Sequence, residues 1–195
     1  MIVRVADIKD ASSILEIYQP YIENTSFTFE IVVPSLDDFK KRIDEYLQNW
    51  PWLVCEDNGV IAGYAYGSKY RERTAYQWCV EVSIYIHDDF QKRGIGQALY
   101  ESLLEILKVQ GYRNVYAVIN LPNDKSVTFH ESCGFSFFAL YPKVGYKLGQ
   151  WKNVGWWQIN LNEYNTRPAP PIKFSELKKD FLEILFSEKA GQIHK

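Results

Sequence analysis

Between Val80 and Ile86 the chain alternates strictly, with Val80, Val82, Ile84 and Ile86 on one side and Glu81, Ser83 and Tyr85 on the other. Such a strand has one apolar face and one that carries a carboxylate and two hydroxyls, the groups from which a proton acceptor and hydrogen-bond donors are made. Just beyond it stands Gln91-Lys92-Arg93-Gly94-Ile95-Gly96, at the opening of a helix expected from about Gly94 to Gln110. Two glycines let backbone approach a bulky anion, and the unpaired N–H groups of a first helical turn, aided by the helix dipole, point at it. Lys92 and Arg93 add local positive charge, so a pyrophosphate is the natural guest. The spacing fits neither the Walker pattern nor GxGxxG, and on this motif alone a bound phosphate and a solvated helix start both stay open.

Two further groups could do chemistry. Lys69, Arg71, Arg73 and Tyr76 precede the alternating strand; a charged loop is ordinarily solvent-facing, but an Arg fork can read a carboxylate in a bidentate way. His130 is one of three histidines and lies on a short expected helix, where an isolated His is ordinarily structural. Cys55, Cys79 and Cys133 are odd in number, widely separated and without CxxC or His spacing, which argues against a disulfide framework and a metal site.

These residues need a scaffold. Met1 to Val5 reads as a strand, followed by a helix carrying Ile8, Ala11, Ile14, Leu15, Ile17 and Tyr18. Ser35 caps a second helix with the stripe Leu36, Phe39, Ile43 and Leu47. Trp52–Glu56 and Val60–Tyr66 flank Asp57-Asn58-Gly59, a hairpin turn whose Asn-Gly pair tolerates positive φ. Val115 to Ile119 is a further strand; Asn123 is the N-cap of a short helix that Gly134 ends. Strands at Phe135–Tyr141 and Trp156–Leu161 follow, with Gly145 and Gly149 between them. The sum is a mixed α/β domain over residues 1–162. Residues 163–195 add a Pro-rich linker, Arg167 to Pro171, and an amphipathic helix through Phe174, Leu177, Phe181, Leu182 and Leu185.

Composition narrows the function. With 22 Lys plus Arg against 24 Asp plus Glu, the net charge of −2 offers no general footprint for nucleic acid or an anionic membrane, so any anion must be met locally. No stretch has the length and apolarity of a bilayer span, and Met1-Ile2-Val3-Arg4 lacks the apolar core of a signal peptide; a cytoplasmic protein is expected. The 6 Trp, 14 Tyr and 11 Phe call for a tightly packed sheet or an aromatic-lined cleft.

Gln91-x-x-Gly94-x-Gly96 after a strand resembles the acetyl-CoA signature of the GNAT superfamily of N-acetyltransferases. Thr28-Phe29-Glu30, Pro51-Trp52-Leu53-Val54, Val80-Glu81-Val82-Ser83, Leu121-Pro122-Asn123, His130-Glu131, Val144-Gly145-Tyr146-Lys147 and Asn153-Val154-Gly155-Trp156-Trp157-Gln158 are, in this order, similar to blocks of its phosphinothricin and methionine sulfoximine acetyltransferase subfamily. The resemblance covers residues 1 to about 161. It implies a central, mostly antiparallel twisted sheet flanked by helices, and direct transfer of acetyl from acetyl-CoA to the primary amine of a small amino-acid-like acceptor.

By the same resemblance Glu81 is the general base, Tyr85 supplies a hydroxyl near the departing sulfur, and His130 is a second proton acceptor or an orienting group. Cofactor contacts fall on Ser83, Ile84, Tyr85 and Ile86, on Gln91 to Gln97 (Gln91, Lys92, Arg93, Gly94, Ile95, Gly96, Gln97), and on Asn123 and Ser126. The acceptor falls to Phe29, Arg71, Arg73, Tyr76 and Val118. Asn120 departs from the Gly or Ser of many relatives, which puts the cleft wall near the amine in doubt. No metal is implied; a homodimer is, and the C-terminal helix suits docking on its own domain or on a neighbouring subunit, where it could extend the interface. The alternatives are an acetyltransferase for a polyamine or a protein N-terminus, and an acyl-CoA-binding regulator without catalysis.

Overall fold

A computed structural model describes residues 1–193. Twelve elements fall in the order β1 (Ile2–Val5), α1 (Ala11–Asn24), α2 (Leu36–Asn49), β2 (Trp52–Asp57), β3 (Val60–Lys69), β4 (Cys79–Ile86), α3 (Ile95–Gln110), β5 (Asn114–Leu121), α4 (Asp124–Ser132), β6 (Ser136–Lys147), β7 (Gln150–Asn160) and α5 (Lys179–Ala190). The strands form one sheet in the order β1-β2-β3-β4-β5-β7-β6. Every pairing is antiparallel except β4 with β5. This mixed, mostly antiparallel sheet with helices on both faces is the expected architecture.

Local chemistry sets the element ends. The Ser35 hydroxyl accepts from Asp38 N and starts α2. Asn58 and Gly59 take φ of 50° and 86° in the β2–β3 turn. Gly111, at φ 94°, stops α3. The Asn123 carboxamide accepts from Ser126 N and starts α4.

Strand parity sends the two faces of β4 into different cores. Val80 and Val82 pack with Leu99, Leu103 and Ile106 of α3, and Ile84 and Ile86 lie against that core. Tyr85 packs on the other side, with Tyr18 and Ile22 of α1, Phe39 of α2, and Trp52 and Tyr64. Most of the aromatic surplus lies on this second face: Trp52 stacks on Tyr66 at 4.3 Å and Tyr64 on Tyr85 at 5.3 Å. The cysteines are free, and burial pushes the thiols of Cys55 and Cys133 up to about 11, which leaves them unreactive.

Two segments differ from the sequence expectation. The arm β6–β7 is a long hairpin turning at Leu148-Gly149, so Gly145 lies inside a strand opposite Lys152 rather than between strands. The tail stripe is also not one helix: Phe174 sits in a short 3-10 turn, and α5 begins only at Lys179. Nor is the Pro-rich segment a free spacer. Trp78 Nε1 donates to Ala169 O at 2.8 Å, and Gln110 and Ile172 exchange hydrogen bonds at 2.7 and 2.8 Å. Leu185, Phe186 and Phe174 join the core under α3 and β1, so the apolar stripe packs against the chain's own domain.

If α5 belongs to the same cooperative unit as the sheet, Leu185→Ala should lower the stability of the single urea transition by about 2 to 4 kcal/mol. A main transition that does not move would make α5 a peripheral attachment.

Candidate active site

β4 and β5 pair for only four residues, from Cys79–Asn114 to Val82–Ala117. Beyond that point Ser83 to Ile86 stay paired with β3 and Val118 to Leu121 with β7, but not with each other. The facing edges of the two strands therefore carry backbone N–H and C=O groups with no strand partner, a demand that a slender amide-bearing chain lying between them would meet.

The fork opens toward the start of α3. Lys92 and Gly94 take φ of 63° and 81°, which turns the chain into the helix. The first helical bond runs from Ala98 N to Gly94 O at 3.0 Å, so the N–H groups of Ile95, Gly96 and Gln97 have no acceptor within the helix. A Cβ on Gly96 would come within 3.2 Å of the Phe129 ring; glycine lets the first turn of α3 close on α4. Ile95 itself is core. Gln91 donates to Asp88 Oδ1 at 2.7 Å, and Arg93 bonds Asp89 O at 3.0 Å while lying over the Phe90 ring. Backbone, glycines and helix dipole thus make an anion cradle, rimmed by Lys92 and Arg93. Asn123 and Ser126 stand at the start of α4, where Asn123 also acts as N-cap.

Glu81 lies one residue before the fork, opposite Ser68 of β3 and Tyr116 of β5. Burial pushes its carboxyl up to about 7, against a smaller pull from Arg71. A carboxylate balanced near neutrality is both available and basic enough to take a proton. The Arg71 guanidinium stacks over Tyr70 at 5.0 Å and faces Tyr76 at 6.0 Å. Tyr70 in turn stacks on Tyr116 at 4.6 Å and meets Trp156 edge-on at 6.1 Å. Arg73 is exposed at the start of the Thr74–Tyr76 turn. Val118 is exposed on the Tyr116 face of β5.

The loop joining α1 to α2 is drawn over this face. Asn120 Nδ2 donates to Ser26 O, and the buried Lys147 ammonium donates to Thr28 O at 2.8 Å. Phe29 lies on Gly145 so closely that a Cβ there would stand 2.2 Å from its ring. Tyr85 is wedged edge-on against Tyr18 and Tyr21, at 4.9 and 5.1 Å. Burial raises its pKa well above the ordinary value, so this hydroxyl keeps its proton.

His130 lies elsewhere. It is 5% exposed on the α3 side of the sheet, caged by the rings of Tyr100, Phe129 and Phe135. Its Nδ1–H is directed at Ser126 O, 2.7 Å away. Burial lowers its pKa and keeps it neutral. The structure thus brings Glu81, Arg71, Tyr76 and Tyr85 to one face and leaves His130 on the other, without contact to Glu81, because α4 packs against α3. Sequence reasoning did not single out Tyr70 or Tyr116 and gave Trp156 and Lys147, though they lie in the family-like blocks, no role at the site; the parity of Val115–Ile119, which aligns Tyr116 with the face of Glu81, was the available signal. Among the described residues no group of His, Cys, Asp and Glu is placed to hold a metal ion, and no helix is long and apolar enough to cross a membrane.

A forked sheet leading into a helix start with free N–H groups suits an amide-bearing donor with an anionic end, the shape of an acyl-CoA. The family model described as acetyltransferase (GNAT) domain matches residues 3–156. Phosphinothricin N-acetyltransferase of Streptomyces viridochromogenes is 36% identical, covering 87% of this chain and 90% of its own. L-methionine sulfoximine/L-methionine sulfone acetyltransferase of Salmonella typhimurium is 32% identical, with 84% and 96% covered. A phosphinothricin acetyltransferase from Sinorhizobium meliloti in complex with acetyl-CoA superposes with TM-score 0.81 at 35% identity, covering 86% of this chain and 92% of that one. The chain belongs to the GNAT acetyltransferase family: it is an acetyl-CoA-dependent N-acetyltransferase.

His130→Phe fills the same cage and removes one hydrogen bond. It should cost about 1 kcal/mol of stability and leave the pH profile of turnover unchanged. Because the folded-state pKa of His130 is depressed, its contribution is full above the unfolded value of about 6.5 and lost as pH falls, and that acid loss should shrink in the variant. A shifted pH–rate limb would place His130 in the chemistry.

Proposed function

We propose that the protein acetylates the primary amine of a small amino-acid-like acceptor, such as phosphinothricin, methionine sulfoximine, methionine sulfone or a related amino acid, with Glu81 as general base. The observation that carries this reading is the Glu81 carboxyl, lifted by burial to about 7 and set beside Arg71 at the mouth of the fork. Acetyl-CoA supplies the acetyl group as a thioester. The open edge of β4 from Ser83 to Ile86 and the cradle from Gln91 to Gln97 would hold it, with Asn123 and Ser126 at the adjoining helix start.

Glu81 takes a proton from the acceptor ammonium, directly or through water, leaving a nucleophilic amine. Backbone N–H groups on the open edge of β4 face the oxygen where negative charge develops. Tyr85, whose hydroxyl stays protonated, donates toward the departing sulfur. Arg71 and Arg73 receive the acceptor carboxylate, Tyr76 and Phe29 pack on its stem, and Val118 lines the far wall. Arg71 beside Glu81 opposes a polycationic acceptor such as a polyamine. A non-catalytic regulator would have no use for a carboxylate held near neutrality. The reading places the protein in the cytoplasm, where acetyl-CoA is available.

We infer further that two copies pair through the β6–β7 arm. β6 is an edge strand of 12 residues. Val144, Tyr146, Leu148 and Trp151 are more than half exposed along the arm, an apolar surface that a second copy would cover. Val144→Asp combined with Trp151→Glu should convert a dimer to a monomer in sedimentation; a wild type already monomeric at tens of micromolar rejects the pairing.

The enzymatic reading is tested by coenzyme A release with acetyl-CoA across amino acids and their sulfoximine, sulfone and phosphinate analogues. Turnover should rise with pH through about 7 as Glu81 ionises. Glu81→Gln should cut kcat by roughly 10²- to 10⁴-fold with the KM for acetyl-CoA nearly unchanged. Release no faster than background with every amine would sink the acceptor class, and an unaltered kcat in Glu81→Gln would remove it as base.

A further inference from the structure

α5 lies outside the matched residues 3–156, yet it pairs with the second turn of α3. Lys189 donates to Glu101 Oε2 at 2.6 Å. The other oxygen of the same carboxylate accepts from Gln97 Nε2 at 2.7 Å, and Gln97 Oε1 in turn receives the Cys133 thiol at 3.6 Å. An unbroken polar chain therefore runs from the tail helix to Gln97, whose backbone N–H is one of the unpaired donors of the cradle. Glu101 is the carboxylate that Lys189 pairs with.

The charge arithmetic makes this placement consequential. Glu101 stands six residues into α3 from Ile95, about 9 Å along the axis. A diphosphate at the helix start carries about two negative charges, and an uncompensated carboxylate at that range would repel it, most strongly at low ionic strength. Lys189 holds the Glu101 carboxyl below its usual range and cancels its field. As a surface ion pair it adds little to folding stability, and its side chain is still 19% exposed.

We propose that Lys189 is a positioning residue for the donor: by neutralising Glu101 and fixing it against Gln97, it sets the charge and geometry of the turn that receives the pyrophosphate. The proposal rests on reading that turn as the pyrophosphate seat.

The test is calorimetric binding of coenzyme A at low ionic strength to the full chain. Lys189→Met keeps the aliphatic stem and should raise Kd about three- to sixfold, the gap closing as salt is added. Glu101→Gln combined with Lys189→Met should restore the wild-type Kd, which a merely structural role of Lys189 would not allow. Lys92→Ala with Arg93→Ala reports on the seat itself. A weakened Kd there with an unchanged one in Lys189→Met overturns this proposal alone; an unchanged Kd in both overturns the seat and the proposal with it. Failure of the double variant to recover also overturns it.

Discussion

The parting of β4 from β5 after Val82 and Ala117 is the constraint on which the rest of the structure depends. A sheet interior does not leave backbone groups unpaired without a partner in view. Each strand keeps its outer neighbour, β3 or β7, so the sheet is not broken; it is opened along one seam. α3 begins nine residues after β4 ends, turned by the left-handed residues Lys92 and Gly94, so the seam leads to a helix N-terminus. An amide chain with an anionic end meets the two features in the order in which the fold presents them. Glu81 stands one residue short of the opening, opposite Ser68 and Tyr116.

The sheet also separates two environments in which burial acts with opposite sign. Removing water disfavours charge, so it raises a carboxyl and lowers an imidazole. Glu81 moves up to about 7 and His130 moves down; both approach neutrality. What distinguishes them is company. Glu81 has the charge of Arg71 acting on it and the unpaired edges of the seam beside it, whereas His130 has aromatic rings on three sides and a carbonyl for its proton. A perturbed pKa alone would rank the two together; geometry separates them.

Legibility in the sequence followed the range of the interaction. The parity of Val80–Ile86, the Asn58-Gly59 turn, the Ser35 and Asn123 caps and the Gly111 stop are all written in neighbouring residues, and all are found in place. The β6–β7 arm was not legible: Pro142, Gly145 and Gly149 interrupt its pattern, and its continuity is held by pairing across the hairpin and by Phe29 seated on Gly145. The latch of the α1–α2 loop joins Asn120 to Ser26 and Lys147 to Thr28, across 94 and 119 residues. Side chain to backbone bonds of that span leave no local signature. The stack of Tyr70, Tyr116 and Trp156 likewise gathers rings from three separate segments.

The tail acquires its meaning from the same fork. Two strands that share only four pairs and then diverge concentrate the burden of their geometry at the paired end, next to Cys79 and Asn114. The segment after β7 bonds there repeatedly. Trp78, just before β4, is held by Ala169 O, and Asn114, the first residue of β5, is held by the Tyr164 hydroxyl at 2.7 Å. Asn162 and Ile172 then bind the C-terminal end of α3 before α5 turns back along that helix toward Glu101. Residues outside the matched family region thus bond at the closed end of the seam and, through Lys189 and Glu101, link to Gln97 at the start of α3, beside its open end, without contributing a side chain to the face that carries Glu81.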